Sequence, residues 1–186
     1  MQKLICIDLG HGGADNGASY GFIDEDDINL PIGFYLDYEL RLLGIKTVLT
    51  REKDEEFSLY QRSALSNIKR PDLFVSIHCD AFHSETVSGM SIHVHPKASL
   101  NTHMAAVQIE KQLKTQFPDH LYRGVKQSNF HVLRETKAPA LLIECEFLSN
   151  PTTRNFLKEA ENQRKLARAL KTGIINYLGQ INRVKE

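Results

Sequence analysis

Cysteine is scarce in this sequence: the 186 residues contain three, Cys6, Cys79 and Cys145. So small and odd a number builds no disulfide framework. Net charge is absent too, because Lys+Arg and Asp+Glu each number 23. Without a basic excess nothing points to nucleic acid, and without an acidic tail nothing points to a disordered segment. No apolar run approaches a membrane-spanning helix in length, so no membrane insertion is expected. The run after Met1 in MQKLICIDLGHGG is too short for a signal-peptide core and lacks a small-residue cleavage site. The expectation is a chain made in the cytoplasm that reaches any outside substrate only by release or export. Repeats, low-complexity tracts and Pro/Gly/Ser-rich linkers are missing as well.

The remainder suits a globular chain: 41% of residues are hydrophobic and 25% charged. Strand-like and helix-like segments alternate, which predicts an α/β fold in a single domain over residues 1–186. A twisted mixed sheet of about six strands with helices on both faces is expected. The short runs Leu4–Leu9, Ile45–Thr50, Asp72–Ile77, Gly89–His95, Phe130–Leu133 and Ala140–Ile143 supply its strands. Ile28, Ile32, Leu36 and Leu40 recur every fourth residue and predict a helix ending at Gly44, with Pro31 in its first turn. Ser58 and Gln61 form a capping box before a helix running to about Lys69. A helix fits Asn101–Phe117, and Asn150-Pro151 reads as a cap followed by proline at a first helical position. Leu166, Leu170, Ile174 and Leu178 stripe a last helix that Gly179 would stop, leaving residues 180–186 as a frayed tail.

Three apolar strands are each followed by a residue able to bind a metal. Leu4–Leu9 leads to His11, Asp72–Ile77 to His78 and Ala140–Ile143 to Glu144. The carboxyl ends of strands in an open α/β sheet are where loops converge and ligands bind. Glu25, near the start of the first helix, can return to the same edge. Two His and one carboxylate suit a catalytic zinc with an open position for water. A further carboxylate beside that water can carry its proton to a leaving amine. Glu144 follows Ala-Leu-Leu-Ile, so partial burial would raise its pKa, as a general base requires. Other readings stand beside these. His11 and His78 could be plain loop and core histidines, and Glu25 shares its helix start with Asp24, Asp26 and Asp27. Glu146 has the same strand parity as Glu144 and rivals it. A nucleophilic Cys79 or Cys145 is disfavoured, since neighbours on a strand face opposite ways. The other six histidines read as surface or strand residues, although His93 and His95 share a face.

Four segments, in order, resemble the N-acetylmuramoyl-L-alanine amidase family of the Amidase_3 type. They are Asp8-Leu9-Gly10-His11-Gly12-Gly13-Ala14-Asp15-Asn16-Gly17-Ala18, Glu25-Asp26-Asp27-Ile28-Asn29-Leu30, Ser76-Ile77-His78-Cys79-Asp80-Ala81 and Pro139-Ala140-Leu141-Leu142-Ile143-Glu144-Cys145-Glu146-Phe147-Leu148-Ser149-Asn150-Pro151. Thr50-Arg51 and Arg62 also fall where that family has them. The resemblance implies a zinc hydrolase cutting the bond between N-acetylmuramic acid and L-alanine in peptidoglycan, as wall-remodelling enzymes and phage endolysins do. It implies His11, Glu25 and His78 as ligands of one zinc ion and Glu144 as the catalytic glutamate. Asn29, Arg51, Arg62 and Asp80 are the candidate substrate-binding residues, and the protein is expected to act as a monomer. The family more often has Pro at Leu9, Ala-Asn at Cys79-Asp80 and Gly at Glu146; none of these departures removes a ligand or the base. A zinc peptidase cutting within the stem peptide, or a non-catalytic wall-binding module, is the alternative.

Overall fold

The computed structural model describes residues 2–183. In chain order the elements are β1 (Leu4–Leu9), β2 (Ser19–Tyr20), β3 (Ile23–Asp24), α1 (Glu25–Arg41), β4 (Lys46–Leu49), α2 (Leu59–Lys69) and β5 (Leu73–Asp80). Then follow β6 (Met90–Val94), α3 (Leu100–Gln116), β7 (Tyr122–Gln127), α4 (His131–Glu135), β8 (Ala140–Phe147), α5 (Pro151–Lys158) and α6 (Ala160–Arg183). Six strands form one sheet in the order β4-β1-β5-β8-β6-β7, while β2 and β3 make a separate small hairpin. All neighbours in the large sheet are parallel except β6 and β8, which run antiparallel, so the sheet is mixed as expected.

Strand parity divides the core. Ile5, Ile7, Val75, Ile77, Leu141 and Ile143 pack against Ile32 and Leu36 of α1, Ala105 and Ile109 of α3, and Leu170 and Ile174 of α6. Burying one such Leu or Ile contributes about 1.5–3 kcal/mol over leaving it in water. The alternate residues Cys6, Phe74, Ala140 and Leu142 form a much smaller cluster with Val132 and Leu133 of α4. Helices therefore cover both faces, one thickly and one thinly.

The capping box holds: the Ser58 hydroxyl accepts from Gln61 N, and Gln61 answers with a bond from Ser58 N. Asn150 caps α5, with Pro151 as its first residue. Four expectations need correction. Phe130–Leu133 is not a strand; His131 begins the short helix α4, whose Val132 and Leu133 are buried while Phe130 stays exposed. Tyr122–Gln127 is a strand that the apolar pattern did not announce, because as the outermost strand it alternates only between half-buried and exposed residues. Pro31 lies in the second turn of α1, where its missing N–H leaves the carbonyl of exposed Asp27 to solvent. α6 continues through Gly179 to Arg183, because Ile181 still packs on the core; residues 184–186 of the expected frayed tail lie outside the described residues.

Candidate metal centre and active site

Two buried arginines shape the loop after β1. Arg62 pairs with Asp8 Oδ1 at 2.8 Å and donates to the carbonyls of Leu9 at 2.6 Å and His11 at 2.7 Å. Asp8, completely buried, also accepts from Ser76 Oγ at 2.6 Å. Arg51 donates to the carbonyls of Leu9, Gly10 and Asp26 at 3.1, 3.2 and 3.1 Å. So held, His11 sits at φ 60°, a left-handed conformation that a side-chain-bearing residue adopts only when its surroundings impose it.

Glu25 is the first residue of α1, and its carboxylate is fixed from several directions. Oε2 accepts from Ala18 N at 3.1 Å, and Oε1 accepts from Cys79 N at 3.0 Å and Asn29 Nδ2 at 3.2 Å. His78 lies near the carboxyl end of β5, with its ring against Gly10; any Cβ at Gly10 would overlap the imidazole. Gly17, at φ +69°, leaves equal room for the Glu25 carboxylate and the His11 ring. Between those rings Glu25 forms a bridge, with Oε1 2.8 Å from His78 Nδ1 and Oε2 3.1 Å from His11 Nε2. The two imidazoles stand edge to face, centroids 4.9 Å apart. Ligand atoms of His11, Glu25 and His78 all lie within 4.8 Å of one another, close enough to share one ion. Asp24, Asp26 and Asp27 cluster separately, without an imidazole, so Glu25 is the acid of that helix start that meets the histidines.

Charge follows from this packing. Burial would raise Glu25, but its two imidazole neighbours outweigh burial and hold its pKa well below the usual carboxylate range. Burial would likewise lower His11, yet Glu25 and then Asp15 raise it to about 9. Asp15 Oδ1 is 2.9 Å from His11 Nδ1 but off the line a hydrogen bond needs, so that nitrogen has charge attraction and no bonded partner.

Glu144 stands directly across the ladder from His78. It lines a cavity of about 440 Å³, bounded also by His11, His78, Phe57, Phe130 and Val132. Its Oε2 is buried without a hydrogen-bond partner. Burial, then the charges of Asp80 and Glu25, push its pKa well above the usual range, while Lys126 opposes them. The geometry thus joins a cluster of three metal-competent side chains to a carboxyl with one unpartnered oxygen and a raised pKa.

Residues 5–176 match the family described as N-acetylmuramoyl-L-alanine amidase. This chain belongs to that family. It is 32% identical to the N-acetylmuramoyl-L-alanine amidase LytC of Bacillus subtilis over 95% of its own length, and 34% identical to the probable cell wall amidase LytH of Staphylococcus aureus over 94%. The chain spans only 36% of LytC and 58% of LytH. The solved N-acetylmuramoyl-L-alanine amidase of Clostridium difficile 630 superposes with a TM-score of 0.92 at 32% identity, covering 96% of this chain and 97% of that one.

Within this amidase-family fold the remaining candidates take varied places. Arg51 and Asn29 are buried, and the bonds of Asn29 go to Glu25 and to the Gly10 carbonyl. Arg62 lines the cavity, although its guanidinium is committed to Asp8 and backbone carbonyls. Asp80 is half-buried at the end of β5, where burial raises its pKa against the pull of Ala81 N, Lys126 and Arg123. Glu146 leaves the cavity altogether. A bulge pairs Asp80 with Phe147, so Glu146 instead accepts from Gly89 N at 2.6 Å and sits 2.9 Å from His120 Nδ1. Cys79 and Cys145 belong to the thick core, their thiols held protonated by burial. His93 is buried beside Ser91 and Ser128, on the same face as Glu144, and its pKa falls to about 4 from burial, then from Lys126 and His78. The sequence reading missed Asp8, whose signal was an acid inside an otherwise apolar strand.

Proposed function

We propose that this protein hydrolyses the amide bond between N-acetylmuramic acid and L-alanine in peptidoglycan, with His11, Glu25 and His78 holding one zinc ion and Glu144 carrying the proton. Two imidazoles and a carboxylate are the donor set of catalytic zinc, and their convergence beside the cavity that His11 and His78 line fits that ion. Bound there, zinc would supply a Lewis acid toward the scissile carbonyl and acidify the attacking water.

The chain's own residues account for the rest. Ala18 N, Cys79 N and Asn29 hold the Glu25 carboxylate in one orientation. Gly10 and Gly17 admit the two rings, and Arg62 locks the backbone beneath His11. Glu144, once ionised, accepts a proton from water at its unpartnered oxygen. Its raised pKa then makes it an adequate donor to the leaving L-alanine nitrogen. The apolar wall of Phe57, Leu59, Phe130 and Val132 limits water in the cleft, which strengthens these charge interactions.

The carrying observation is Glu144 itself: a buried carboxyl oxygen without a partner, across from a histidine of a metal-competent cluster. Purified cell walls digested with the protein, with and without a chelator, test the reading. Stem peptides bearing an N-terminal L-alanine, lost on chelation and restored by zinc, are expected by mass spectrometry. Fragments cut inside the peptide would identify a peptidase instead.

A further inference from the structure

The amide in the proposed reaction joins two chemically unlike halves. The sugar side is an uncharged polyol chain, whereas the peptide side ends in at least one carboxylate. A cation beside one end of the cleft would therefore distinguish the halves. One wall is apolar, built from Phe57, Leu59, Phe130 and Val132. Its cation, Arg62, is consumed by Asp8 and the carbonyls of Leu9, His11 and Phe57.

Lys126 stands beyond that lining, on the edge strand β7, two strands from β8. It pairs with His93 across the β6–β7 ladder, and His93 pairs with Leu142 on β8. Residues directly paired across strands share a face, so Lys126 stands on the face that carries Leu142 and Glu144. Its charge is felt at Glu144, Asp80 and His93 together. Yet the ammonium of Lys126, a residue half-buried as a whole, has no hydrogen bond and no acid within ion-pair distance among the described residues. The neighbouring Arg123 differs: it donates to the Ser88 carbonyl at 3.1 Å and lies over the Phe147 ring. That charge is committed to no protein anion and is open to one on a ligand.

We propose that Lys126 is a specificity residue that binds a carboxylate of the stem peptide and so seats the peptide half of the substrate over β7. The inference rests on the amidase reading above and deepens it. It also agrees with the chemistry, since the group that protonates the leaving peptide nitrogen must face the peptide half, and Glu144 shares its sheet face with Lys126.

The test compares wild type, Lys126→Gln and Lys126→Arg on a soluble muramoyl peptide with free carboxylates and on the same compound with them amidated. On the free acid, Lys126→Gln should raise KM about tenfold or more, with kcat within about twofold and its pH profile unmoved. Lys126→Arg should restore KM to within about threefold, as retained charge predicts. On the amidated compound, wild type and Lys126→Gln should be alike. Equal losses on both compounds would overturn the inference, as would a shifted kcat pH profile at constant KM, which would mean Lys126 acts through Glu144. If wild type cleaves either compound elsewhere than at the muramoyl–alanine bond, the amidase reading itself falls.

Discussion

The two faces of the sheet are built from the same strands and carry opposite kinds of side chain. On one face Ile5, Ile7, Val75, Ile77, Leu141 and Ile143 alternate with nothing polar and are sealed by α1, α3 and α6. On the other, β1 offers Cys6 and then Asp8, β5 offers Phe74, Ser76 and His78, and β8 offers Leu142 and Glu144. Polarity there rises toward the carboxyl ends, where no helix could bury such groups without partners. The thin cover of α2 and α4 leaves a cleft in that place. Stability thus resides mainly on one face and chemistry on the other, a single residue apart along each strand.

Substitutions can break this separation or sharpen it. The largest effect is expected at Glu144→Gln, with activity on cell walls falling about 10²–10⁴-fold. Its melting temperature should hold or rise, because a buried unpartnered acid is removed. A matching fall in thermal stability would show that Glu144 belongs to the scaffold. Next comes Arg62→Met, which leaves Asp8 buried and unpaired; a loss of about 3–5 kcal/mol is expected by denaturant unfolding. Since Arg62 also holds the His11 carbonyl, this variant should lose activity as well as stability. Leu170→Ala, in the thick core, should cost about 2–5 kcal/mol while the folded fraction keeps its activity per molecule.

The smallest effect concerns His93, whose pKa is depressed to about 4. The unfolded chain protonates this ring near its ordinary 6.5 and the fold does not. Stability therefore falls as pH drops from about 6.5 to about 4, by at most about 1.4 kcal/mol per pH unit from this group. Melting curves across that window should be flatter for His93→Asn than for wild type.

Periodicity made the thick face legible: the Ile28–Leu40 and Leu166–Leu178 stripes, and the apolar runs of β1, β5 and β8, are where they were expected. The thin face was read less well. Val132 and Leu133 look like strand residues, and only their packing on Phe74 and Leu142 makes them a helix. β7 has no apolar alternation because one edge of it meets solvent. The bulge that sends Glu146 away from Glu144 is a matter of ladder register, which composition does not encode. His11, Glu25, His78 and Glu144 were legible as residue types at strand and helix ends. That three of them share one 4.8 Å cluster is a consequence of β1, β5 and α1 lying side by side.

Metal content measured on matched variants tests the central claim most directly. Wild type and Glu144→Gln should each hold one zinc per chain, with His11→Ala and His78→Ala holding none at the same free zinc concentration. Zinc retained without either histidine, or lost with Glu144, would contradict the division between a metal-holding triad and a separate proton carrier.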